Sequence, residues 1–263
     1  MFNDNPWHKE EMKKKAQAHT VYMEQHHQKS IENSINHTYI YDEKSRFLFN
    51  KTPNIIPCKI SVKDETSTQG IIELAKKYPN DKIAVLNFAS YKHPGGMFMN
   101  GSIAQEEALC HDSFLYNVLR EFQEEYYDEN AKIKNRGLYT HKALYSQDIL
   151  FFDDTKNCCS ADVLTCAAPN YTTASKYSKV SRKENREVLE ERIDFVFKIT
   201  LSNKVENLVL GAWGCGVFGQ NAQEVAEIFK KYIEKYKYCF KEIIFAIPHS
   251  RNGNLEEFRK VFC

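Results

Sequence analysis

No segment of this 263-residue sequence approaches the roughly 20 consecutive apolar residues that a membrane-spanning helix needs. Its first 15 residues are polar and charged, without the apolar stretch of a secretory signal. A soluble, cytoplasmic protein with no membrane partner is therefore expected. Charge of one sign is not in excess either: 36 Lys+Arg against 35 Asp+Glu leave a formal net charge of +1. No global field draws the chain to nucleic acid or an anionic surface, so an anionic ligand has to be caught by local geometry. The eight cysteines, Cys58, Cys110, Cys158, Cys159, Cys166, Cys215, Cys239 and Cys263, include no Cys-x-x-Cys pair. That argues against a thiolate metal centre, and reduced thiols are expected. No internal repeat or long linker divides the sequence.

What is present is an alternation of short apolar runs with longer amphipathic ones. Residues 6–33 form a charged, helix-permissive stretch whose apolar positions are too sparse for a core helix, so it is expected to pack on the outside. The adjacent His26 and His27 would point about 100° apart on a helix and cannot ligate one metal from one face. Residues 55–56, 59–62, 82–88, 149–152, 163–168, 208–211 and 243–247 read as strands, with a loop over 153–162 that carries Cys158 and Cys159. Helices are predicted over 104–116, 118–127, 182–201, 225–236 and 255–261, and another through Ile71, Ile72, Leu74 and Ala75, capped from residues 64–67. Strands alternating with helices of ten or more residues predict an α/β protein with one sheet covered on both faces.

Two segments share one grammar of apolar strand, glycine loop and helix start. In the first, Asn87, Phe88, Ala89 and Ser90 lead through Pro94, Gly95, Gly96 and Met97 to Gln105, Glu106 and Glu107. Adjacent carboxylates can divide into a binder and a proton donor once one of them is desolvated. The acidic pair is also what a helix dipole favours in any first turn. In the second, residues 208–211 run into Gly214, Cys215, Gly216, Val217, Phe218 and Gly219. This satisfies G-x-G-x-x-G, but a dinucleotide site expects an acidic residue after the next strand. Here that strand runs into Pro248, His249, Ser250 and Arg251, which argues against a nicotinamide-cofactor oxidoreductase. The loop amides and the following helix start still suit a pyrophosphate. Cys215 in that loop reads as a small turn residue rather than a nucleophile, since no base is identifiable beside it.

Taken with Ala168-Pro169-Asn170 and Gly211-Ala212-Trp213, these motifs resemble, in order, those of the microbial (bacterial-type) poly(ADP-ribose) glycohydrolases. The resemblance extends to Ala18-His19-Thr20 in the charged N-terminal stretch. It implies a three-layer α/β/α macrodomain with a mixed central sheet over residues 51–263, preceded by an N-terminal helical extension over residues 1–50. It further implies Glu107 as the general acid, Glu106 orienting the ribose hydroxyls and Gln105 setting the loop. Asn87, Ala89, Ser90, Pro94, Gly95, Gly96 and Met97 would contact substrate. Gly214, Cys215, Gly216, Val217, Phe218 and Gly219 would wrap the diphosphate, with the Phe218 ring against a ribose. The expected partners are ADP-ribose or ADP-ribosylated protein, with nucleic acid only as an ADP-ribosylated substrate. A monomer without cofactor or metal is expected. The family signature has three glycines and then, six to eight residues later, Gln-Glu-Glu; here Met97 takes the third glycine's place. That departure leaves open a mono-ADP-ribosyl hydrolase or a non-catalytic ADP-ribose-binding protein.

Overall fold

The computed structural model describes residues 6–49, 54–152 and 158–263. The expected junction between residues 50 and 51 lies outside the described residues, as does the 153–157 part of the expected loop. Seven strands, β1 (Thr38–Tyr41), β2 (Lys59–Lys63), β3 (Ile83–Phe88), β4 (Ala143–Phe152), β5 (Cys158–Cys166), β6 (Asn207–Leu210) and β7 (Glu242–Ala246), form one sheet. Their order is β1-β4-β5-β3-β6-β7-β2. The run from β5 to β2 is parallel, while β4 pairs antiparallel with both β5 and β1.

The helices are α1 (Pro6–Asn36), α2 (Ser67–Lys77), α3 (Gln105–His111), α4 (Leu115–Leu119), α5 (Glu129–Lys132), α6 (Tyr171–Ser178), α7 (Arg182–Ser202), α8 (Ala222–Lys235) and α9 (Asn254–Phe262). Strand alternation sends Ala84, Leu86, Leu208, Leu210, Ile243 and Phe245 into one core, shared with α7, α8 and α9. Ile83, Val85, Val209 and Ile244 enter the opposite core, shared with α1 to α4. A strand buried on both faces has to read as an unbroken apolar run, which is why β3, β6 and β7 were legible. No helix among the described residues is long and apolar enough to cross a membrane.

Helix α1 buries only single apolar residues such as Ala16, Met23 and Ile31. Polar pins complete its attachment: His19 Nε2 donates to Ser113 O (2.8 Å) and Asn117 Nδ2 donates to Thr20 O (3.0 Å). The expected helix over 104–116 breaks in two, because Ser113 Oγ donates to Leu109 O (2.6 Å) and accepts from Leu115 N–H (3.0 Å). A serine hydroxyl competing with the helix ladder in this way turns the backbone out of it. Ile55 and Ile56 are exposed rather than in a strand, flanked by Asn54 and Cys58 whose N–H groups bond Tyr238 O and Lys237 O. Cys158 and Cys159 lie in β5, opposite Phe152 and Phe151 of β4, rather than in a loop. Strand β1, the first half of β4 and helix α6 carry no signal read from the sequence.

Candidate active site

The carboxyl ends of β5, β3 and β6 are neighbours, and the loops leaving them carry the motifs. In open α/β sheets the ligand crevice lies outside such ends. The β3–β6 ladder stops at Val85 opposite Val209, although β3 continues to Phe88, whereas β3–β5 pairing runs on to Phe88 opposite Cys166. The gap is closed by one side chain: Gln105 Nε2 donates to Leu86 O (3.0 Å) and its Oε1 accepts from Phe88 N–H (2.8 Å). An amide thus substitutes for the missing strand partner, satisfying buried backbone groups that would otherwise be orphaned. The same Nε2 also reaches Ser67 Oγ (3.0 Å) at the start of α2.

With Gln105 opening α3, Glu106 and Glu107 occupy its first turn, only 3% and 6% exposed. Glu106 accepts from Ser90 N–H (2.6 Å) on Oε2 and from Asn87 Nδ2 (3.2 Å) on Oε1. Asn87 also donates to Thr165 Oγ1 (3.2 Å), tying β3 to β5. Burial pushes the Glu106 carboxyl up to about 8, against the pull of Ser90 N–H and helped by the neighbouring charge of Glu107, with Asn87 lowering it slightly. Glu107 Oε1 accepts from Met97 N–H (2.8 Å), while its buried Oε2 has no partner among the described residues. Both carboxyls crowd Gly96, whose φ of +62° lies in the left-handed region. A Cβ there would stand 2.6 Å from Glu107 Oε1 and 2.8 Å from Glu106 Oε2, so only glycine fits. Ala89 is fully buried, and its N–H bonds Asn87 O (2.9 Å). Ser90 Oγ accepts from His93 N–H (3.2 Å), holding the turn that brings in Pro94 and Gly95.

Met97 has φ −108°, a conformation that does not call for glycine. The residue is 48% exposed and lines a groove with Lys9, Glu10, Lys13 and Asn100. The donor to Glu107 is therefore kept without the third glycine.

On the β6 side, Cys215 N–H bonds Ala212 O (3.2 Å) and Gly219 N–H bonds Gly216 O (3.0 Å), which closes the loop on itself. The N–H groups of Gly216, Val217 and Phe218 between them find no acceptor among the described residues. A Cβ at Gly216 would meet nothing within 4 Å, and Val217 is 86% exposed. Consecutive free amides of this kind make an anion cradle. Burial pushes the Cys215 thiol up to about 12, the reverse of what a thiolate nucleophile needs. The loop is braced from α6 and α7: Thr172 N–H bonds Phe218 O (3.1 Å), and Gln220 and Asn185 exchange amide bonds of 2.8 and 2.9 Å.

Tyr139 and Arg192, missed in the sequence, join the two sides. Tyr139 stacks on Tyr91 (4.0 Å, 10°) and meets Phe218 edge-on (6.1 Å, 66°) with its own φ at +62°. Fully buried Arg192 fixes that segment, donating to Ala167 O (2.7 Å), Leu138 O (3.1 Å), Tyr139 O (3.3 Å) and His141 Nδ1 (2.7 Å). Arg192 sits among charged residues of α7, so nothing in its sequence neighbourhood sets it apart. No group of three or more metal-ligating side chains occurs among the described residues.

Comparison with solved structures finds the poly(ADP-ribose) glycohydrolase (PARG) of Thermomonospora curvata at 27% identity and TM-score 0.86, over 96% of this chain and all of that one. The same protein bound to the inhibitor ADP-HPD matches at 26% and 0.82, over 95% and 99%. The Deinococcus radiodurans PARG in complex with ADP-ribose matches at 29% and 0.79, over 88% and 96%. A comparison with curated proteins finds no match. Residues 9–154, more than half of the chain, match the family described as microbial-type PARG, catalytic domain, and the chain belongs to that family.

Proposed function

We propose that this chain is a poly(ADP-ribose) glycohydrolase with a macrodomain-like core, hydrolysing the O-glycosidic bonds of ADP-ribose and releasing ADP-ribose. The observation that carries the reading is the Glu107 carboxyl: one oxygen is anchored by Met97 N–H and the other is buried without a partner among the described residues. Burial holds Glu106 near 8, so that carboxyl is largely neutral at neutral pH and sets little negative charge beside Glu107. Glu107, as general acid, delivers a proton to the leaving oxygen as the bond from it to the anomeric carbon breaks through an oxocarbenium-like transition state. Water then adds to the anomeric carbon and returns a proton to the carboxylate. Glu106, held by Asn87 and Ser90, keeps lone pairs for the ribose hydroxyls. The free amides of Gly216, Val217 and Phe218 take the diphosphate, and Gly216 leaves room for it. The comparison proteins support this ligand, one having been solved with ADP-ribose and another with ADP-HPD.

The test is release of ADP-ribose from poly(ADP-ribose) by the purified chain and by Glu107→Gln. Loss of a general acid is expected to slow turnover by about 10² to 10⁴ with little change in ADP-ribose affinity. Equal rates reject Glu107 as the acid. Tight ADP-ribose binding without turnover by the unaltered chain selects a non-catalytic ADP-ribose-binding protein instead.

A further inference from the structure

We propose that the groove between the first turns of α1 and the turn at residues 97–100 binds the pyrophosphate of the adjoining ADP-ribose unit, on the leaving side of the scissile bond. This rests on the hydrolase reading and makes the enzyme selective for polymer over a single ADP-ribosyl group. The groove has a volume of about 270 Å³ and is lined by Lys9, Glu10, Lys13, Met97 and Asn100. That is below the roughly 300–1,000 Å³ of a pocket enclosing a whole drug-sized ligand, so it takes a segment of the chain rather than a complete unit.

Three observations fix its occupant. Lys9 and Lys13 are four residues apart on α1, hence on one face. Among the described residues neither pairs with a carboxylate, since nearby Glu11 is taken by Lys15 (2.8 Å). With Glu10 the groove keeps a net positive charge on a protein that is otherwise nearly neutral, and a diphosphate is the anion a polymer offers. The groove also adjoins the chemistry: Met97, whose N–H anchors Glu107 Oε1 at 2.8 Å, is one of its lining residues. The backbone of α1 packs directly on the same turn, where a Cβ at Gly101 would collide with Lys9 O. The two lysines are therefore held against the turn that anchors the acid rather than left on a loose tail. Met97, out of place in the glycine signature, supplies an apolar wall for the ribose that carries this pyrophosphate.

The experiment compares a defined ADP-ribose tetramer with free ADP-ribose by calorimetry, in the Glu107→Gln protein with and without Lys9→Glu and Lys13→Glu. Tetramer binding is expected to weaken about tenfold, with a flatter salt dependence, because two solvent-facing ion pairs each contribute modestly and are screened. Free ADP-ribose affinity should stay within about twofold, which also certifies folding. On the active protein the same double change should raise KM for polymer and leave kcat alone. Unchanged tetramer affinity, or tetramer and monomer weakening together, overturns the groove while leaving the hydrolase standing. A Glu107→Gln protein that binds neither ligand sinks the hydrolase reading, and the groove proposal falls with it.

Discussion

Replacing Gly96 by alanine tests the architecture of the carboxyl pair more sharply than removing a carboxyl does. Residue 96 adopts φ +62°, and an added Cβ would stand 2.6 Å from Glu107 Oε1, where ordinary contact begins at 3.4 Å. Glu107 must therefore withdraw by about 0.8 Å, which breaks its 2.8 Å bond from Met97 N–H. A misplacement of about 1 Å costs roughly 10² in rate, so kcat for Gly96→Ala is expected to fall about 30- to 100-fold. Left-handed backbone costs an L-residue roughly 1–2 kcal/mol, so stability falls as well. Gly253→Ala, at the start of α9, is the control: its φ is +69°, and its Cβ would meet nothing nearer than Glu256 Oε2 at 3.9 Å. Urea denaturation should show a loss of about 1–2 kcal/mol from the left-handed backbone in both variants, while ADP-ribose release collapses only for Gly96→Ala. A Gly96→Ala enzyme within about threefold of the parent, or a Gly253→Ala enzyme impaired equally, refutes the claim that Gly96 exists to admit the two carboxyls.

A folded Glu106 near 8 against an ordinary value of 4.5 makes the folded state hold a proton that the unfolded chain has released. Stability should therefore fall as pH rises from 4.5 to 8 and level off above. Glu106→Gln should exceed the parent at pH 8.5 by on the order of 2–4 kcal/mol and lose that advantage by pH 4–5; denaturation midpoints with parallel pH profiles contradict this. Turnover of the parent should decline above about pH 8 as Glu106 ionises beside the acid. Arg192→Met leaves the carbonyls of Ala167, Leu138 and Tyr139 without their buried donor. It should cost about 3 kcal/mol or more and raise KM through Tyr139, with an unchanged KM arguing against that bracing. Cys215→Ser should leave turnover unchanged, because a thiol held near 12 attacks nothing at neutral pH; lost activity would return Cys215 to the chemistry.

The sheet's central strands were readable because β3, β6 and β7 are buried on both faces and so appear as unbroken apolar runs. Capping chemistry marked the start of α2, where Thr66 and Gln69 exchange side-chain bonds to backbone as a capping box. Edge strand β1 (Thr38–Tyr41), with its middle residues exposed, is only four residues long, too short a run to stand out, and it exists because β4 offers it a partner. The glycines and the acidic triplet announced themselves in the sequence, since a backbone turn and a helix start have local requirements. What local requirements could not reveal is how Gln105 replaces a strand, why Gly96 must lack a Cβ, or that Tyr139 and Arg192 tie together segments distant in sequence. Composition, periodicity and turn chemistry by themselves determined the α/β class and the residues worth watching. Which Glu106 and Glu107 oxygens are engaged, which is free and which carboxyl is desolvated were decided only by tertiary packing, because burial and hydrogen-bond partners belong to the folded neighbourhood and not to the residue.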